Sequence, residues 1–155
     1  MTVLTGHRDS RELADRLRDA HAVTAELLSD FISEACWRFP AIQRAEGAAR
    51  IERMIRAGAW TEAALALIEL ELPQWQVRRI IYDEGELYCA LSRQRELPDW
   101  LDQSIEARHA DLSLALLSAF VEAQRVGMSP ARTSVPSVPC AANPLDEPAC
   151  CDNFA

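Results

Sequence analysis

The residues best suited to bind a metal are Glu106 and His109, which form a Glu-x-x-His step. On a helix, residues three positions apart share a face, and di-iron sites in helical bundles use two such steps with two further glutamates. The sequence has three histidines, and neither His7 nor His21 supplies a second step. The step therefore indicates a solvated Glu and His. A metal-binding protein or enzyme using helix carboxylates and His109 is the alternative.

Five cysteines form the second group with reactive side chains. Cys140, Cys150 and Cys151 cluster near the C-terminal end, and they offer a second form of the metal-binding alternative. A structural zinc site needs four ligands at spacings such as Cys-x2–4-Cys, and no histidine lies nearby to complete such a set. Cys36 and Cys89 fall on apolar faces, which predicts inert buried thiols.

Sequence motifs for nucleophilic catalysis and phosphate binding are missing. The chain has no G-x-S-x-G, no G-x-x-x-x-G-K and no G-x-G-x-x-G, and only five glycines. The sixteen basic residues are all arginine, which excludes a lysine Schiff base. We therefore predict no catalytic residue and no cofactor. Whether the chain is an enzyme stays open, but the missing motifs favour a protein that is not an enzyme.

Charge and composition narrow the class of protein. A net charge of −8 disfavours a general nucleic-acid binder and docking on an anionic membrane surface. With 155 residues and 49% hydrophobic residues, the chain can bury one core. The N-terminus lacks the apolar segment of a signal peptide, and no apolar stretch approaches the length of a membrane span. We expect a cytoplasmic protein with reduced thiols. The exclusive use of arginine suggests a GC-rich bacterial genome.

Residues 75–93 are predicted to form a β-hairpin, because two alternating runs flank the turn sequence Asp83-Glu84-Gly85-Glu86. A type I turn with a G1 bulge at Gly85 would pair Tyr82 with Glu86 and Ile81 with Leu87. One face would then pack on helices. Its members are Trp75, Val77, Arg79, Ile81, Leu87, Cys89 and Leu91.

The other face of the hairpin is a candidate interaction surface, with Arg78, Ile80, Tyr82 and Tyr88 as its principal residues. Tyrosines beside an aliphatic residue resemble the composition of protein interfaces. The alternative is that a helix of the same chain packs on this face and covers it. Edge pairing would give a four-stranded sheet across a homodimer.

Arg79 falls on the predicted core face, so it needs a carboxylate partner. The candidate partners are Glu69, Glu71, Asp99 and Asp102. A structural ion pair is favoured over an anion site.

Four helices are predicted around the hairpin. The first runs from Asp9 or Ser10 to a point before Pro40, and its length of about thirty residues leaves open a kink near the middle or an oligomeric seam. The second runs from Pro40 to Gly58. The third begins after Thr61 as N-cap and ends before Pro73, and the last runs from Pro98 and Asp99 to Gly127. The fold class is mainly α: a four-helix domain (residues 1–127) with one embedded β-hairpin. A flexible, disordered Pro-rich C-terminal tail (residues 128–155) follows. The first and last helices are expected to pack together.

The segment Gly58-Ala-Trp-Thr-Glu-Ala-Ala64, followed by Leu67 and Pro73, resembles the second half of a tetratricopeptide repeat. The resemblance covers about sixteen residues once and departs from the pattern at Leu70, and solenoids need at least about three repeats. It implies a shared helical-hairpin geometry, and no peptide-binding residues are carried over from it.

These patterns predict a small cytoplasmic bacterial interaction or regulatory protein that acts through protein-protein contacts. Its partner would be another protein or a second copy of the chain, with neither nucleic acid nor membrane involved.

Overall fold

The computed structural model describes residues 6–41, 46–93 and 103–128. In these ranges the fold is mainly α and contains a β-hairpin, as predicted. The hairpin belongs to a sheet with a third strand, and the helices do not form the predicted set of four. The elements are α1 (Gly6–Asp19), α2 (Ala25–Ala35), α3 (Arg38–Ala41), α4 (Glu46–Arg56), α5 (Trp60–Glu71), β1 (Gln76–Asp83), β2 (Glu86–Ser92), β3 (Ser104–His109) and α6 (Leu112–Met128). The tail predicted for residues 128–155 lies outside the described residues, apart from the last residue of α6.

Helix α6 lies at the centre of the molecule. Its buried residues surround the helix axis instead of forming one stripe, which is the pattern of a helix enclosed by other elements; they are Leu114, Ala115, Leu116, Leu117, Ala119, Phe120, Val121 and Ala123. Helices α1 and α5 and strands β2 and β3 contact it. Phe31 of α2 meets the Phe120 ring edge-on, with 5.0 Å between ring centroids. The expected packing of the first and last helices is confirmed.

The single long N-terminal helix predicted from the sequence is wrong. The chain breaks after Asp19, and Thr24 caps α2 by accepting a hydrogen bond from the Leu27 N–H at 3.1 Å. The break lets Arg16 of α1 form ion pairs with Asp30 and Glu34 of α2. In a continuous helix, residues 16 and 30 would be about 21 Å apart. A threonine side chain can replace the helical backbone bond at such a break.

Helices α4 and α5 form the predicted helical hairpin. Gly58 has a φ of +71°, its N–H donates to Ile55 at 3.1 Å, and the Ala59 N–H donates to Met54 at 2.9 Å. These two bonds define a Schellman motif, so the predicted role of Gly58 as helix terminator is confirmed. Thr61 is not the N-cap, because α5 already begins at Trp60.

The last helix is shorter than predicted, because residues 104–109 form strand β3. Exposure alternates along this strand, with Ile105, Ala107 and His109 less exposed than their neighbours. The position of Ile105 is compatible with a helical and with a strand pattern of apolar residues. In the structure it belongs to a strand, in which every second residue points to the same face. The N-cap of α6 is Asp111, whose carboxylate accepts the Leu114 N–H at 3.0 Å. The predicted cap, Asp99, lies outside the described residues.

Glu71, at the end of α5, is buried with 4% of its surface exposed. Its carboxylate accepts the backbone N–H groups of Trp37, Arg38 and Phe39, at 3.3, 3.1 and 2.6 Å. These donors precede or begin α3, where a short helix leaves N–H groups without internal partners. One carboxylate therefore joins α5 to the turn between α2 and α3.

Within residues 6–41, 46–93 and 103–128, every helix is too short or too polar to serve as a transmembrane span.

Replacing Glu71→Gln is expected to lower the free energy of unfolding by about 2–4 kcal/mol, because buried N–H donors lose their charged acceptor. Urea denaturation followed by circular dichroism measures the change. The matched control is Glu69→Gln, an exposed position on the same helix, where the change should stay within about 0.5 kcal/mol. Equal effects of the two substitutions would contradict the proposed anchoring role.

The two cysteines in the described residues, Cys36 and Cys89, are unpaired and buried. Burial raises the pKa of the Cys89 thiol to about 11. Burial, with a smaller contribution from the Glu71 carboxylate, also raises the pKa of Cys36. The predicted inert character of both thiols agrees with this environment, because the thiolate is the reactive form.

We expect iodoacetamide at pH 8 to modify Cys36 and Cys89 far more slowly in the folded protein than in guanidinium chloride, as measured by peptide mass spectrometry. The elevated pKa of Cys89 also predicts that the folded protein loses stability at alkaline pH. The contribution of Cys89 to stability is complete below its ordinary pKa of 9.0 and is lost as the pH rises toward 11. Rapid labelling of either thiol in the native protein would show that its site opens to solvent.

Candidate functional site

The turn of the hairpin has two residues, Glu84 and Gly85, with φ values of +48° and +88°. Two positive φ values are the signature of a type I′ turn, which fits the right-handed twist of the strands. Asp83 pairs with Glu86 across this turn, followed by Tyr82 with Leu87. The predicted G1 bulge is therefore wrong, and the predicted pairs Tyr82–Glu86 and Ile81–Leu87 are wrong by one position.

A bulge at Arg78 changes the register farther along β1. Arg79 lies opposite Ala90, whereas Val77 lies opposite Leu91, which is the partner that the sequence predicted. The extra residue in the bulge reverses which side chains of β1 point to each face. As a result, Arg79 belongs to the face opposite the core, contrary to the prediction.

The inner face of the sheet, defined as the face toward α6, contains Cys89 and Leu91 of β2, both fully buried. Paired residues of an antiparallel sheet share a face, so Ala107 and Ile105 of β3 belong to it as well. The outer face is the opposite one. It carries Arg79, Ile81, Tyr88, Ala90, Glu106 and Arg108.

An ion pair covers part of the outer face. Ala90 is paired with Arg79 on one side and with Glu106 on the other. Arg79 Nη2 lies 2.9 Å from Glu106 Oε1 across this row, and Ala90 beneath it is only 5% exposed. Arg79 thus has a carboxylate partner, but this partner is Glu106 and none of the four predicted candidates. Glu71 has other partners, and Asp99 and Asp102 lie outside the described residues.

The predicted interaction residues are divided between the two faces. Ile80 pairs with Cys89 and Tyr82 with Leu87, which places both on the inner-face side, whereas Tyr88 lies on the outer face opposite Ile81. Arg78 lies in the bulge and lines a small outer pocket with Arg79, Ala90, Ser104 and Glu106. The two-residue turn, which shifts the pairing of Ile80 and Tyr82 by one position, is therefore the reason that the predicted surface does not exist as one face.

Three consecutive side chains of β1, Ile80, Ile81 and Tyr82, form what we call the β1 edge surface. They are 42%, 41% and 70% exposed, and β1 is an edge strand in the sheet order β1-β2-β3. Ile81 was missed by the sequence prediction. The signal was present, because three consecutive apolar residues on a strand cannot all point to one face.

The backbone of the β1 edge surface also has groups available for pairing. In a two-residue hairpin the residues flanking the turn form a hydrogen-bonded pair, and such pairs alternate along the strands. Asp83 and Ile81 therefore direct their N–H and C=O groups to β2. Ile80 and Tyr82 direct theirs to the free edge, where an added strand would find two donors and two acceptors.

The Glu-x-x-His step does not form a metal site. Glu106 and His109 lie on a strand, where residues three positions apart point to opposite faces. Glu106 pairs with Arg79, and His109 Nδ1 accepts the Asp111 N–H at 3.0 Å. Within the described part of the chain, no group of three or more His, Cys, Asp or Glu residues is placed to hold a metal ion. The other metal candidates, Cys140, Cys150 and Cys151, lie outside the described residues.

Comparison with known proteins gives no match among family models, curated proteins or solved structures.

Replacing Glu84→Asn is expected to stabilise the protein by about 0.5–1 kcal/mol, because asparagine tolerates positive φ better than glutamate does. Gly85→Ala should destabilise it by about 1 kcal/mol, since alanine is strained at this φ. Thermal unfolding measures both changes. Glu84→Gln is the control for loss of charge beside Asp83 and Glu86, and a stabilisation equal to that of Glu84→Asn would contradict the conformational explanation.

Proposed function

We propose that this chain is an interaction protein that forms a two-fold homodimer through β1, joining two three-stranded sheets into one sheet of six strands. The observation that carries the proposal is the β1 edge surface, where three large apolar side chains are exposed on an edge strand. Edge strands are usually protected by charges, proline or cover, because their unpaired backbone groups recruit other strands. In β1 the charges are confined to Arg78, Arg79 and the terminal Asp83.

Symmetry restricts how two copies of β1 can pair. A two-fold axis perpendicular to the sheet makes the two strands antiparallel and keeps both inner faces on the same side. Residues opposite each other must therefore belong to the same face. Two arrangements that satisfy this rule bring the β1 edge surfaces together, one with the axis at Ile80 and one with the axis at Ile81.

The axis at Ile81 gives the better match of side chains. Ile81 lies opposite the partner's Ile81, Ile80 lies opposite the partner's Tyr82, and Arg79 lies opposite the partner's Asp83. Apolar and opposite-charge pairs of this kind contribute roughly 0.2–1 kcal/mol each. With the axis at Ile80, Arg79 would instead lie opposite the partner's Ile81, and Asp83 opposite the partner's Val77.

The backbone pattern is compatible with this register. Ile80 and Tyr82 are the residues whose N–H and C=O groups point to the free edge, and this register makes them a hydrogen-bonded pair. Ile81 and the partner's Ile81 then form a pair without hydrogen bonds, in which side chains approach most closely. The dimer would cover all three apolar residues and satisfy the exposed edge.

A charge-swap experiment tests both the dimer and its register. Arg79→Asp places like charges opposite each other twice in the homodimer, and Asp83→Arg does the same with positive charges. We expect each variant to be monomeric, because like charges directly opposite one another destabilise a strand pair. Mixing the two variants restores opposite charges at both positions and should yield a heterodimer. Size-exclusion chromatography with light scattering, and native mass spectrometry of the mixture, give the masses relative to the 17.3 kDa chain.

Two controls separate this interface from loss of structure. Glu106→Gln removes the Arg79–Glu106 ion pair without changing β1, and it should leave the dimer intact. Ile80→Pro removes an N–H that points to the free edge, so the hairpin should persist while the dimer is lost. A wild-type chain that is monomeric at high concentration, or homodimers of both charge variants as stable as the wild type, would overturn the proposal.

A further inference from the structure

A second feature, independent of β1, is a pocket at the end of the molecule where α2, α5 and α6 converge. Its volume is about 630 Å³, within the range of sites for small molecules. We call it the end pocket. Its principal lining residues are Cys36, Trp37, Arg38, Trp75, Arg93 and Gln124.

Arg93 is held in the end pocket by three contacts. Its guanidinium carbon lies 4.8 Å from the centre of the buried Trp75 ring, and Nη1 donates to Gln103 Oε1 at 3.3 Å. Gly127 permits the close approach of α6, because a Cβ there would lie 3.3 Å from Arg93 Nη2. Nε is buried with no hydrogen-bond partner. A guanidinium fixed in this way keeps donor capacity that the described residues do not use.

The charged side chains around the end pocket are two glutamates and two arginines. Of the acidic lining residues, Glu34 pairs with Arg16, and the Glu71 carboxylate is occupied by three backbone N–H groups. Neither Arg38 nor Arg93 forms an ion pair with another described residue. In a chain with a net charge of −8, two guanidinium groups without carboxylate partners among the described residues favour an anion at this position.

The other lining residues of the end pocket favour a ligand with an apolar part. Trp37 is 67% exposed at the rim, with Arg38 stacked 5.0 Å from its ring centre. Trp75, Leu72, Pro73 and Ala123 add apolar surface to the lining. An indole left two-thirds exposed beside a pocket is available to cover a flat ring.

From this geometry we infer that the end pocket binds a small aromatic monocarboxylate, with the carboxylate on Arg93 and the ring against Trp37. The planar guanidinium matches a carboxylate with two parallel hydrogen bonds. The inference does not depend on dimer formation, because none of the β1 residues lines the end pocket.

Calorimetric titration of the full chain with phenylacetate, cinnamate and indole-3-acetate tests the inference. At least one should bind saturably below about 5 mM, the range of a weak specific site. Its neutral amide should bind at least tenfold more weakly, because a charge-assisted hydrogen bond is lost. Acetate and inorganic phosphate should each bind at least tenfold more weakly, since neither carries a ring.

Arg93→Gln should weaken carboxylate binding at least tenfold, whereas the matched control Arg108→Gln, on the exposed outer face of β3, should leave it unchanged. Circular dichroism confirms that each variant is folded. The inference fails if none of the three carboxylates binds, if the amide or phosphate binds equally well, or if folded Arg93→Gln keeps the wild-type affinity.

Discussion

The burial of α6 around most of its circumference is the constraint on which the rest of the structure depends. A helix whose apolar residues surround its axis is not stable at a surface, so other elements must enclose it. Helices α1, α2 and α5 supply part of the cover, and strands β2 and β3 supply the rest. Because the inner face of the sheet packs on α6 through β2 and β3, strand β1 is left at the edge. The proposed dimer interface is thus a consequence of how the core is closed.

The same enclosure explains the polar contacts inside the protein. Where short helices end near the core, their backbone groups need partners that water cannot supply. Glu71 satisfies three N–H groups before and within the first turn of α3, and Gln124 of α6 donates to the Ala35 carbonyl at the end of α2 at 2.7 Å. The end pocket lies beside these contacts, at the point where three helices converge without closing the space between them.

Local patterns predicted the elements whose signals are local. Gly58 ends α4, Pro73 follows α5, and Gly85 reverses the hairpin, because each of these residues acts through its own backbone conformation. The strand at residues 104–109 was not predicted, and the split between α1 and α2 at Thr24 was foreseen only as a kink that the helix length left open. Thr24 is compatible with a helix interior, and Ile105 fits two periods, so the neighbours of these residues decided between the alternatives. Of the candidate surface, Tyr88 lies on the outer face as predicted, Ile80 and Tyr82 lie on the inner-face side, and Ile81 was missed.

The sequence by itself determined a mainly α protein with a hairpin at residues 75–93, two buried cysteines and no recognisable catalytic motif. These properties follow from composition, short-range spacing and turn residues. Tertiary structure alone decided the third strand, the bulge at Arg78 and the placement of Arg93 beside Trp75 and Gly127. The physical reason is that a strand acquires its faces only when it is paired, and a single inserted residue exchanges them. A pocket likewise depends on distances between helices that no local pattern of residues encodes.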